Sequence, residues 1–109
     1  MTTKIKYGTK EVQRDFGKLT FAEILYAHRL SEELTQVEMA KKLGMSKQSL
    51  CDLEKGRKIP SATRAAKIAK ILGMLPASFV QLALQDQLRQ ERLYFDIKVL
   101  PVEQKKKIA

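Results

Sequence analysis

Apolar positions between residues 19 and 90 fall into short helical stripes, each opened by a capping residue and closed by glycine, proline or a polar turn. Phe21, Ile24, Leu25 and Ala27/His28 recur at the spacing of one helix face. Ahead of them Thr20 and Glu23 form a capping box, with Leu19 and Ile24 as its hydrophobic staple, which predicts a helix to about residue 31. A second box, Thr35 with Glu38, is stapled by Leu34 and Met39 and opens a helix over about 36–43. Gly44 then supplies the left-handed residue that ends it. Ser46 caps a third helix over about 47–55, whose buried edge is Leu50 and Leu53 and whose stop is Gly56. Pro60 cannot continue a helix and biases Ile59 to extended backbone, so 57–60 is a basic loop. Ser61 opens a fourth helix with Ala65, Ile68, Ala69 and Leu72 on one face, ended by Gly73. Pro76 suits the first turn of a fifth, to about residue 90, striped by Phe79, Leu82, Ala83 and Leu88.

After Arg92 the period changes. Phe95, Ile97 and Val99 alternate with Tyr94, Asp96 and Lys98, which is strand patterning closed by Pro101. A lone strand on a helical domain needs a partner. Either it pairs with its twin across a dimer axis or the segment lies as an irregular tail on the core. The expected organisation is an N-terminal arm at 1–18, an all-α five-helix domain at 19–91, and a C-terminal extension at 92–109 that carries the strand and a basic tail. The second and third helices, joined by a tight turn, have the geometry for placing a helix in the DNA major groove. Ala40 falls where they must cross closely.

Composition narrows the picture. A chain of 109 residues with 44% hydrophobic content is long enough for one modest core. No apolar run reaches membrane-spanning length, and residues 1–7 lack the apolar block of a secretory signal. The single Cys51 excludes an internal disulfide and fits a reducing compartment, so a cytoplasmic location is expected. The net charge of +9 is unevenly distributed: residues 1–40 balance, 71–109 carry +2, and 41–70 carry +7. Positive charge concentrated on and just behind a helix pair is a nucleic-acid footprint.

The register Leu34-Thr-Gln, Met39-Ala-Lys-Lys-Leu-Gly, Ser46-Lys-Gln-Ser-Leu and Leu53-Glu-Lys-Gly-Arg-Lys-Ile-Pro-Ser61 resembles the Cro/cI-type (XRE) helix-turn-helix family over about residues 19–84. The resemblance implies a five-helix domain that binds double-stranded DNA at a near-palindromic operator as a homodimer, in the manner of a transcriptional repressor. It also implies that Gln36 anchors a phosphate from a helix N-terminus, where amide groups and the dipole favour an anion. Ser46, Lys47, Gln48 and Ser49 open the recognition helix; Gln48 matches adenine N6/N7 and Lys47 can donate to guanine O6/N7. Ser49 can bond a base edge or a phosphate. Asp52, one turn on, either accepts from cytosine N4 or is a surface acid that tempers the local charge. Lys55, Arg57 and Lys58 suit phosphates or an adjacent minor groove better than base edges. Arg29 and Glu54 stand where the family pairs an arginine of the first helix with the acid closing the third, a structural ion pair.

Other chemistry lacks residues. His28 is the one histidine and no convergent metal-ligand spacing accompanies it, so no metal or cofactor is expected. No glycine-rich phosphate loop and no nucleophile paired with a base is present, so an enzyme is not expected. Residues 41–70 contain no aromatic side chain, which argues against single-strand binding by stacking. The alternative to a repressor is a family member that resembles type II antitoxins, binding a small toxin protein through 1–18 and 93–109 while repressing its own operon.

Overall fold

The computed structural model describes residues 19–102. Its five helices, in chain order, are α1 (Phe21–Ser31), α2 (Gln36–Leu43), α3 (Lys47–Glu54), α4 (Ala62–Leu72) and α5 (Pro76–Gln90). The arm at 1–18 and the basic tail from residue 103 lie outside the described residues.

Local sequence sets the helix ends. Both predicted capping boxes form: Thr20 Oγ1 accepts from Glu23 N and Thr35 Oγ1 from Glu38 N, each at 3.1 Å, while each glutamate accepts from the cap N–H at 2.9 Å. Ser46 and Ser61 cap α3 and α4 through the hydroxyl alone, accepting from Ser49 N and Arg64 N. Gly44 closes α2 at φ 70°, in the left-handed region, and a Cβ there would meet nothing within 4 Å, so only backbone conformation selects glycine. Glu33 and Arg92 also take positive φ, at 57° and 61°, in the turns after α1 and α5.

The helices enclose one core. α4 packs along α5, α2 against α3, and α1 against α3 and α5. Leu25, Met39, Leu50, Ala65 and Ala69 are fully buried at its centre. Phe21 and Phe79 meet edge to face with ring centres 5.4 Å apart, joining α1 to α5. Ala40 is buried, as the close crossing of α2 and α3 requires. The expected α1 stripe is narrower than its pattern: Ala27 is exposed and His28 half-buried.

Among the described residues there is no β-ladder, so the strand expected over 93–100 is not formed within this chain. The segment instead runs along α5. Gln85 donates through Nε2 to Phe95 O at 2.6 Å and accepts from Ile97 N at 3.0 Å, and Gln81 Oε1 accepts from Val99 N at 2.8 Å. Alternate backbone positions are therefore bonded while the helix is read backwards. Four helical residues rise about 6 Å and two extended residues span about 6.7 Å, so the spacings match. Of the two alternatives for this segment, the single chain shows the one that lies on the core, and what residues 95, 97 and 99 meet is a pair of side-chain amides.

Candidate nucleic-acid interface

α3 turns Leu50 and Leu53 into the core and leaves Lys47 and Gln48 exposed at its N-terminal end. Ser46, its cap, accepts from Ser49 N at 3.0 Å, and the two hydroxyls lie 3.0 Å apart. Both serines therefore shape the entry to the helix. Gln48 is oriented by Asp52, whose Oδ1 accepts from its Nε2 at 3.1 Å. The same carboxylate oxygen stands 3.5 Å from the Arg57 guanidinium, and Asp52 O accepts from Arg57 N at 2.9 Å and Lys58 N at 3.3 Å. Asp52 thus fastens the basic loop back onto α3. Lys55, Arg57 and Lys58 are all exposed just beyond the helix. The free Cys51 thiol is half-buried on the same helix.

A buried polar cluster fixes how α3 sits. Arg29 Nε donates to Glu54 Oε2 at 2.7 Å and Nη2 to Oε1 at 3.1 Å, while Nη1 donates to Leu34 O at 2.9 Å. The side chains of Arg29 and Glu54 are 11% and 3% exposed, so the pair works with little screening by water. The Glu54 hydrogen bond holds the Arg29 pKa above its ordinary value, against the opposing effect of burial. Tyr26 adds its ring face, 5.3 Å from the guanidinium carbon. Gln36 also turns toward this cluster: its Nε2 donates to Glu54 Oε1 at 3.1 Å. The residue expected to anchor a phosphate is therefore half-buried at the first position of α2, with one amide N–H engaged by the scaffold.

A second polar contact has no counterpart in the sequence reading. Asp86 Oδ2 accepts from Phe21 N at 2.8 Å, capping α1 from α5, and Arg89 lies 3.2 Å away. Burial raises the Asp86 pKa, opposed by the Phe21 N–H and by Arg89 and assisted by the charge of Glu23. Its one visible signal was position: Asp86 falls three residues after Ala83 and seven after Phe79, on the apolar stripe of α5. Among the described residues no group of His, Cys, Asp and Glu could hold a metal ion, and no helix is long and apolar enough to cross a membrane.

Known proteins resemble this chain in sequence. An HTH-type transcriptional regulator of Methanocaldococcus jannaschii, itself uncharacterised, is 47% identical over 47 residues, 43% of this chain and 71% of its own length. Human endothelial differentiation-related factor 1 is 32% identical over 73 residues, 67% of this chain and 49% of its own length. The ImmF control region 10 kDa protein of Bacillus phage phi105 is 44% identical over 46 residues, 42% of this chain and 51% of its own. The match thus spans only about half the length of the human and phage relatives. No solved structure matches significantly. The helix-turn-helix family model covers residues 25–79, from the middle of α1 into α5 and across the whole α2–α3 pair, so the chain belongs to the helix-turn-helix family of DNA-binding proteins, in its Cro/cI-type branch.

Proposed function

We propose that the protein is a sequence-specific transcriptional regulator that represses by seating α3 in the major groove of a near-palindromic operator, bound as a dimer. The observation that carries this reading is the division of α3 itself. Its apolar edge is buried, its closing Glu54 is locked to α1 and α2, and its opening residues Lys47 and Gln48 stay exposed beside a basic loop. A rigidly mounted helix with polar side chains at its N-terminal end suits base reading.

In this reading Lys47 and Gln48 contact base edges, with Gln48 held in one orientation by Asp52. Ser46 and Ser49 set the approach of the helix to the backbone. Lys55, Arg57 and Lys58 neutralise phosphates. Gln36 retains an amide N–H and the N-terminus of α2 with which to meet a phosphate, while Glu54 holds its side chain in place. Arg29 and Glu54 act as scaffold. The test is a gel-shift competition between the DNA upstream of the gene and a scrambled sequence of equal length and composition. Preference for the upstream sequence is expected; equal affinity for both would defeat the proposal.

A further inference from the structure

The segment at 93–100 uses one of its two edges. The bonds to Gln81 and Gln85 involve Phe95, Ile97 and Val99, and among the described residues no hydrogen bond reaches the backbone of Tyr94, Asp96, Lys98 or Leu100. In extended backbone, successive residues direct their N–H and C=O groups to opposite edges. The even-numbered residues therefore form an open edge. Of the side chains these residues carry, Tyr94 and Leu100 are the two most exposed large hydrophobic ones of the described residues, at 79% and 73%, and the charged Asp96 and Lys98 lie between them. An open edge of unpaired backbone N–H and C=O groups is a template for another strand.

We propose that this edge is the dimer interface and that its occupant is the same segment of a second copy, paired antiparallel with Ile97 on the two-fold axis. The inference rests on the dimer proposed above and adds its surface and register. Charge selects that register. Centring the axis on Asp96 would oppose two aspartates, and centring it on Lys98 would oppose two lysines; like charges directly opposite are destabilising. Centring it on Ile97 sets Asp96 opposite Lys98 of the partner subunit and Lys98 opposite the partner's Asp96. The same register places Tyr94 against the partner's Leu100, covering the two side chains that the single chain leaves most exposed. The hydrogen-bonded pairs fall on the even-numbered residues, the edge that α5 leaves free. An antiparallel pairing of one segment with itself is an isologous contact, as a closed dimer requires.

The test is charge exchange read by analytical ultracentrifugation of the full chain. Asp96→Lys and Lys98→Asp each convert both cross-strand pairs from attractive to repulsive, and each should weaken self-association about tenfold at low salt. The double variant exchanges the pairs and should restore it. A second measurement does not depend on charge. In a Cys51→Ala background, Ile97→Cys should cross-link to its partner on mild oxidation, because a non-hydrogen-bonded antiparallel pair places its Cα atoms about 4.5 Å apart, within disulfide reach. Leu100→Cys should not cross-link to itself. A dimer indifferent to both single exchanges, with no cross-link at residue 97, would overturn the surface while leaving the dimer standing. A chain that is monomeric at all concentrations would overturn both. Operator preference, read separately by gel shift, reports on the DNA-binding proposal alone.

Discussion

Gln48 bonds the Asp52 carboxylate through its side chain and Lys58 bonds the Asp52 carbonyl through its backbone N–H, and in the proposed function the two side chains would meet DNA by different chemistry. Gln48 is neutral, exposed and held at 3.1 Å by Asp52, so what it can add is a directed pair of hydrogen bonds. Lys58 is exposed in the basic loop and adds charge. Gln48→Ala should relax preference at one base pair, with a loss of about 1–3 kcal/mol on the preferred sequence and little on others, in binding measured across single-base operator variants. Lys58→Ala should weaken all sequences alike and reduce the slope of log affinity against log salt by about one per protomer. Equal behaviour of the two variants would erase the distinction between reader and anchor. Arg29 and Glu54 belong to a different class. Arg29→Ala leaves a carboxylate with 3% exposure facing no cation, and should cost about 3 kcal/mol in denaturant unfolding. This pair was legible in the sequence through its place in a known register. The inward turn of Gln36 was not, because nothing in residue type says which way an amide points.

At the scale of elements, what was legible is what is local. The boxes at Thr20 and Thr35 join residues three apart, and the left-handed Gly44 follows directly from where the apolar stripe stops. Asp86 and Phe21 are 65 positions apart, and no local pattern links them. The alternation over 93–100 marked alternate residues as bonded to a neighbour, but a period of two cannot say whether a strand or a row of glutamines lies alongside. The α1–α5 junction gives a pH signature. The folded-state pKa of Asp86 is raised, so the stability it contributes is fully present below the unfolded carboxylate value of about 3.9 and is lost as pH rises through the higher folded value. Asp86→Asn removes that titration and keeps an oxygen to accept from Phe21 N. Its stability relative to the parent should therefore improve as pH rises from about 3.9 toward neutrality, followed by thermal unfolding across that range. A constant difference would mean that burial does not govern this carboxyl group.

For the whole molecule, the uneven charge and the single rigid core work together. Most of the net positive charge lies within residues 41–70, the part of the sequence that carries α3 and its loop, so binding should weaken steeply with salt. Two copies joined as proposed would present two recognition helices to half-sites about one DNA turn, roughly 34 Å, apart. Inserting about half a turn, ~5 base pairs, between the half-sites rotates them to opposite faces of the duplex. Affinity should then fall on the order of a hundredfold, toward that of one half-site, when measured by footprinting. An unchanged affinity would mean that each copy binds by itself.

Glu54 is the last residue of α3, yet it takes bonds from Arg29 in α1 and Gln36 in α2. α3 should consequently have no private route to unfolding: releasing it means breaking a cluster that three helices share. Amide protons on the Leu50 and Leu53 turns should exchange with solvent only through the opening that also frees Leu25 and Met39, with one common free energy. Sequence preference in this domain would then be set by side chains on a surface that stays still, and the molecule would lose its ability to discriminate only when it loses its fold.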